Sequence, residues 1–340
     1  DPAVLKLIQD TGRSPEDIIA DLLDDGILNF SAGSDAMATP EQENTKKYAT
    51  GELSTGLTPA QSSDVSRLRS FKSLEDWLAV AYILEATTDL SEVRRIHTEI
   101  GNIYLKTAQS GMDAILAREI IVLRDLELKN LDSLIPRVFF ADEDIPLLVM
   151  EQSGQTTLAV AMQSMGQGPK LRILTDLARG IRAMHDQGYV HRDLKPGNIT
   201  INGVSSTAGE RYHGLIDFGS ALRINRKQGL DPGGLTRTRF YGHKSQQEPD
   251  LRAHEGQDWY SFARLAMCLV TGELPLTLRS MIEGGSIASR INTDISGLPE
   301  DDAKDAIKDI IMLSCSPEGE SNAGLKALKE LGRKISGTDS

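Results

Sequence analysis

The stretch DWYSFARLAMCLVTG, residues 258–272, is apolar almost all the way round a helix. Such a helix has no face to give to water, so it belongs inside a core. The neighbouring sequence supplies helices to surround it. KLRILTDLARGIRAMHDQG sets Leu171, Leu174, Leu177, Ile181 and Met184 on one face, with Gly188 as the expected C-cap. DDAKDAIKDIIMLSC and NAGLKALKELGRKI read as amphipathic helices that close the chain.

The pattern upstream is different. Between residues 76 and 108 it is short and β-like: DWLAVAYILEA and SEVRRIHTE read as strands, and NIYLKTA follows an expected Gly101-Asn102 turn. MDAILAREIIVLRDLE then reads as a helix with Met112, Ile115, Leu116, Glu119, Ile120, Leu123 and Leu126 along one side. RVFFADEDIPLLVME reads as a hairpin turning at DEDIP. Further upstream, PAVLKLIQ and SPEDIIADLLDDG have helical spacing, and Ser14 with Asp17 can cap the second helix. Residues 31–75 are dominated by Ser, Thr, Gly and polar residues, the composition of a linker. The expected organisation is α+β: a helical extension over 1–30, a polar linker over 31–75, a small β-rich lobe over 76–152 and a larger helical lobe over 153–340.

A net charge of −12 leaves no basic excess to displace counterions, which argues against a nucleic-acid partner. No apolar run approaches the roughly 18 residues that a membrane span needs. Cys268 and Cys315 fit neither a metal-ligand spacing nor a disulfide framework, so a reducing, cytoplasmic setting is expected. His97, His185, His213, His243 and His254 form no metal spacing either, and surface or structural roles are expected for them.

The chemistry gathers in YVHRDLKPGNITI, residues 189–201, and in IDFG, residues 216–219. Together with IYLK ending at Lys106 and AREIIVL carrying Glu119, these runs resemble a protein kinase of the Ser/Thr type. The resemblance covers roughly residues 78–330 and implies a bilobal fold that binds ATP and Mg²⁺ and phosphorylates proteins. On that resemblance Asp193 accepts the proton of the substrate hydroxyl, and Lys195 offsets charge growing on the transferred group. Asn198 and Asp217 supply the oxygen ligands that Mg²⁺ prefers. Lys106 holds the α- and β-phosphates, fixed by an ion pair with Glu119. A lysine two places after the aspartate resembles the Ser/Thr enzymes, whereas tyrosine kinases resemble HRDLAARN.

LLVMEQSG resembles the strand that leads into the adenine-binding hinge. It makes Met150 the gatekeeper, and Glu151, Gln152 and Ser153 the hinge whose backbone binds adenine. Val93 matches the apolar residue above the ring, and Thr200 falls near its floor; plain core positions would explain Val93 and Met150 equally simply. Asp258 matches a buried aspartate that braces the catalytic loop, although its place ahead of an apolar helix also suits an N-cap.

Two departures stand out. A phosphate-covering loop should read G-x-G-x-x-G, but LEATTDLSEV has no glycine, leaving the hydroxyls of Thr87, Thr88 and Ser91 as substitutes. Where the family shows A-P-E, this chain has Lys244, Ser245 and Gln246, and the arginine that pairs with that glutamate would fall near Glu320. The missing glycines keep a pseudokinase, a nucleotide-binding scaffold without transfer, as the rival reading. Arg192 is expected to recruit a phosphate, with Thr236 the preferred carrier, because Thr238 sits where the family's threonine contacts the catalytic aspartate. Residues 1–30 are expected to contact the kinase domain.

Overall fold

Strands β1 (Ile83–Thr87), β2 (Ser91–Thr98) and β3 (Gly101–Ala108) run antiparallel in sequence order. Val93 lies opposite Lys106, and Thr98 opposite Gly101. Gly101 and Asn102 are therefore already paired in the ladder, which corrects the expectation of a turn at those two residues. The computed structural model describes residues 83–87, 91–98, 101–129, 131, 134–142, 147–162, 165–202, 211–230, 237–298 and 303–337. The expected helices within 1–30, the linker over 31–75, Thr88 and Thr236 lie outside these residues.

The FFAD and LLVME runs form β4 (Val138–Asp142) and β5 (Leu147–Glu151). They complete a five-stranded antiparallel sheet in the order β1-β2-β3-β5-β4. Helix α1 (Asp113–Leu128) buries Leu116, Glu119, Ile120, Leu123 and Leu126, the i, i+3/i+4, i+7 stripe expected of an amphipathic helix. The described residues divide into two compact units. One holds the sheet, with the residues up to Ile121 and Pro136–Gln152; the other holds Val122–Ile135 and the residues from Ser153 onward.

The second unit is mainly helical: α2 (Leu158–Ala161), α3 (Gln167–Asp186), α4 (Glu255–Thr271), α5 (Pro275–Glu283), α6 (Ile287–Ser296), α7 (Ala303–Ser314) and α8 (Asn322–Ile335). Every residue of α4 from Gly256 to Thr271 is buried, as its all-round apolar character demands. His254, not Asp258, caps α4; its ring accepts from the Gly256 amide, and Gln257 closes the reciprocal bond. Helix α8 packs so closely on α4 that a Cβ on Gly332 would come within 2.0 Å of the Trp259 ring. Helix α3 has Gln187 as its C-cap, and Gly188 follows with a φ of +85°, the left-handed turn that glycine accepts without steric cost.

Short strands complete this unit. β6 (Thr156–Thr157), β8 (Ile199–Asn202) and β9 (Arg211–Leu215) form one sheet, and β7 (Tyr189–Val190) pairs with β10 (Leu222–Arg223). Among the described residues, no single helix is long and apolar enough to cross a membrane.

Candidate active site

In the helical unit, the chain between β7 and β8 is held from below by one carboxylate. Asp258, fully buried near the start of α4, accepts the backbone amides of His191 over 2.8 Å and Arg192 over 2.7 Å, and His185 Nε2 over 2.8 Å. Burial alone would raise this carboxyl. The His185 hydrogen bond and charge, the charge of His191 and the Arg192 amide bring it below the usual aspartate value instead. The brace matters because Arg192 has a φ of 68°, a strained backbone for a side chain of that size. A buried, ionised acceptor with three donors is what fixes such a turn.

The turn presents Asp193. Its Oδ1 accepts the Thr238 hydroxyl over 2.5 Å, and its Oδ2 accepts Asn198 Nδ2 over 2.9 Å with Lys195 Nζ at 3.2 Å. Asn198 Nδ2 also donates to the Asp193 carbonyl over 2.9 Å. With its nitrogen so engaged, the Asn198 amide turns its oxygen away from Asp193. The β8–β9 ladder, with Ile199 opposite Leu215, and the bond from the Ile216 amide to the Asn198 carbonyl over 3.1 Å set Asp217 beside this loop. Asp217 is left-handed, at a φ of 64°. The following Phe218 is fully buried against the His191 ring at 4.9 Å, and that ring donates through Nε2 to the Ile216 carbonyl. Both non-glycine residues forced to positive φ here belong to the two motifs, and strain of this kind gathers at functional sites.

In the sheet unit, Lys106 on β3 and Glu119 on α1 form a buried ion pair at 2.8 Å, with side chains 10% and 2% exposed. Val93 is half-buried opposite Lys106 on β2, and Met150 is half-buried on β5. The amides of Glu151 and Gln152 donate to the carbonyls of Arg137 and Asn102 over 2.9 and 3.0 Å. Both amides are thus spent on neighbouring backbone, and the carbonyls of this strand end are what it can still offer a ligand. Glu151 is raised above the usual carboxylate value by burial, against the pull of Arg137. In the helical unit, Thr200 is buried, and its hydroxyl is committed to the Gly214 carbonyl and to Ser153.

Arg192 is wholly buried and donates to the carbonyls of Ser220 and Gln246, at 3.4 and 3.1 Å. Gln246 returns the contact by donating from Nε2 to the Arg192 carbonyl over 2.5 Å. Thr236, the expected carrier of a phosphate for Arg192, lies outside the described residues. Two contacts escaped the sequence reading: the His185 donor on Asp258, and Gln246 as the partner of Arg192. The His185 position could have been found from helical spacing, since it follows Ile181 and Met184 on the buried face of α3.

Asn198 and Asp217 offer hard oxygen donors, the set that suits Mg²⁺ when phosphate oxygens complete its shell. The chain is 32% identical over 147 residues to the inhibitor of nuclear factor kappa-B kinase subunit beta of Mus musculus, covering 40% of this chain and 18% of that one. It is 31% identical over 154 residues to serine/threonine-protein kinase MRCK gamma of Mus musculus, covering 42% of this chain and 9% of that one. It is 31% identical over 172 residues to serine/threonine-protein kinase pkn2 of Myxococcus xanthus, covering 49% of this chain and 20% of that one. The match thus spans a fifth or less of the length of these relatives. The protein kinase domain family matches residues 99–320, well over half of this sequence, and the chain belongs to that family.

Proposed function

We propose that this chain is an ATP- and Mg²⁺-dependent protein kinase that transfers the γ-phosphate to Ser or Thr hydroxyls of proteins, with Asp193 as the catalytic base. The observation that carries the reading is the convergence of Thr238, Asn198 and Lys195 on the two oxygens of one carboxylate. Phosphoryl transfer depends mainly on positioning and charge neutralisation, so a fixed carboxylate beside a lysine is the apparatus it needs. Asp193 orients the incoming hydroxyl and takes its proton. Lys195 faces charge that grows on the transferred group. Lys106, held by Glu119, grips the α- and β-phosphates, while Val93, Met150, Thr200 and the Glu151–Gln152 strand end flank the adenine. Asn198 and Asp217 are the residues to hold Mg²⁺, which when bound neutralises phosphate charge.

A second reading, a pseudokinase, is favoured by one feature alone: β1 and β2 are joined through residues 88–90 without a glycine. Incubation with labelled ATP, Mg²⁺ and a generic protein acceptor separates the two. Label on the acceptor that disappears in Asp193→Ala supports the kinase, and nucleotide binding without transfer supports the scaffold.

A further inference from the structure

The segment that carries Thr238 to Asp193 needs an anchor of its own. Phe240, two residues on, has its ring 5.3 Å from the Arg264 guanidinium, and the same guanidinium lies 5.0 Å from the Tyr260 ring. Arg264 sits in the middle of α4, where the all-apolar pattern would otherwise place an aliphatic residue. Its Nη2 donates to the Tyr260 hydroxyl over 2.7 Å and to the Ser314 carbonyl over 2.8 Å, with Glu320 Oε1 at 3.7 Å. The Tyr260 hydroxyl in turn donates to Glu320. His243 packs edge-on against Tyr260 at 5.0 Å and accepts the Ser245 amide, which opens the short turn containing Gln246. One charge pair thus touches the segment through Phe240 and, by way of Tyr260, through His243. These points lie between Thr238 and Gln246, the residues that reach Asp193 and Arg192.

We propose that Arg264 and Glu320, joined through Tyr260, position residues 237–246 as the acceptor-docking segment beside Asp193. The inference rests on the kinase reading for its function, although the anchor itself is a matter of structure. Gln246 is uncharged and spends its amide on Arg192, so it supplies no charge to hold this segment. Arg264 is almost buried, and a cation there requires an anion. Glu320 provides it while the two aromatic faces share the guanidinium. Both residues are positioning residues, since neither touches Asp193.

The test compares Glu320→Gln, Arg264→Met and Arg264→Lys with the parent chain, using casein and histone as acceptors. For Glu320→Gln and Arg264→Met we expect the KM for the acceptor to rise by about fivefold or more and kcat to fall by no more than about tenfold, the loss expected from the Thr238 bond alone, while the KM for ATP changes by less than about twofold. Arg264→Lys, which keeps the charge, should restore much of the acceptor KM. Amide exchange over residues 238–247 should quicken by about tenfold in the first two variants and stay unchanged within α4. Should Arg264→Met fail to fold, Glu320→Gln decides, because that side chain is part-exposed. Unchanged acceptor KM and unchanged protection of 238–247 in Glu320→Gln would overturn the proposal. If the parent chain transfers no phosphate at all, the kinase reading has failed, and exchange over 238–247 alone judges the anchor.

Discussion

Thr238 donates its hydroxyl to Oδ1 of Asp193 over 2.5 Å, so the segment at residues 237–246 and the loop at residues 191–198 are joined at the carboxylate expected to do the chemistry. Removing either end tests a different thing. Asp193→Ala should lower kcat by about a thousandfold with the thermal midpoint nearly unchanged, because a part-exposed carboxylate contributes little to the core. Thr238→Val should cost far less in kcat, about tenfold, since Asn198 and Lys195 still hold Oδ2. Steady-state kinetics with circular dichroism melts measures both. Wild-type turnover in Asp193→Ala would remove Asp193 from the mechanism.

Asp258 should matter for stability before it matters for catalysis. Asp258→Ala strips the acceptor from three buried donors, and the expected loss is about 3 kcal/mol. Asp258→Asn keeps an acceptor for only one of the two backbone amides, since His191 and Arg192 donate to different oxygens, and presents an NH₂ to the other, so an intermediate loss is expected. Because the folded carboxyl lies below its unfolded value, its contribution is present above the unfolded pKa near 3.8 and is lost as pH falls through the folded value. Urea melts at neutral pH decide this: an Asp258→Ala variant as stable as the parent would show that the brace carries no load.

The sequence was most legible where function packs residues into short runs. Asp193, Lys195 and Asn198 lie within six residues, and their chemistry can be read without knowing what surrounds them. Helix α4 was legible for a different reason, since a segment apolar on every face leaves no choice but burial. Helices α5 and α6 were missed: both are short, and neither Leu274 nor Ser286 makes a side-chain cap bond that would mark a start. The two-residue strands β7 and β10 are too short to show a period. The carbonyl partners of Arg192 sit 28 and 54 residues away in the sequence. Tertiary hydrogen bonds to backbone oxygens leave no mark on residue type, so no reading of side chains alone would find them.

The Lys106–Glu119 pair invites a charge test. Glu119→Gln keeps the shape but removes the charge facing a nearly buried ammonium, and Lys106 should then sit less often where a phosphate needs it. We expect transfer to fall by about a hundredfold, equivalent to about 2.7 kcal/mol of barrier, with a smaller effect on acceptor KM. Lys106→Met should fall at least as far. Nucleotide binding measured by fluorescence titration would separate lost affinity from lost turnover. Full turnover in Glu119→Gln would mean that the pair is a structural feature of the sheet unit only.

His243 predicts an acid-side weakness of the same region. Burial drives its pKa down from 6.5 to about 4, against the upward pull of Glu320 and Gly319, while Lys244 and Arg237 push it further down. The ring is therefore neutral in the fold when the unfolded chain would already be protonated. Between pH 6.5 and about 4 the unfolded state binds the extra proton, so stability rises with pH across that window and is lost on acidification. The loss assigned to this ring at pH 4.5 is about 2 kcal/mol. Many carboxylates titrate nearby in pH, so the parent chain alone cannot isolate the effect. His243→Asn can, because asparagine also caps the turn at Ser245 by accepting its amide but does not titrate. Denaturant melts of the two proteins at pH 7 and pH 4.5 should show the smaller acid loss in His243→Asn. Equal losses in both would mean that His243 stays charged in the fold or that its surroundings open before it protonates.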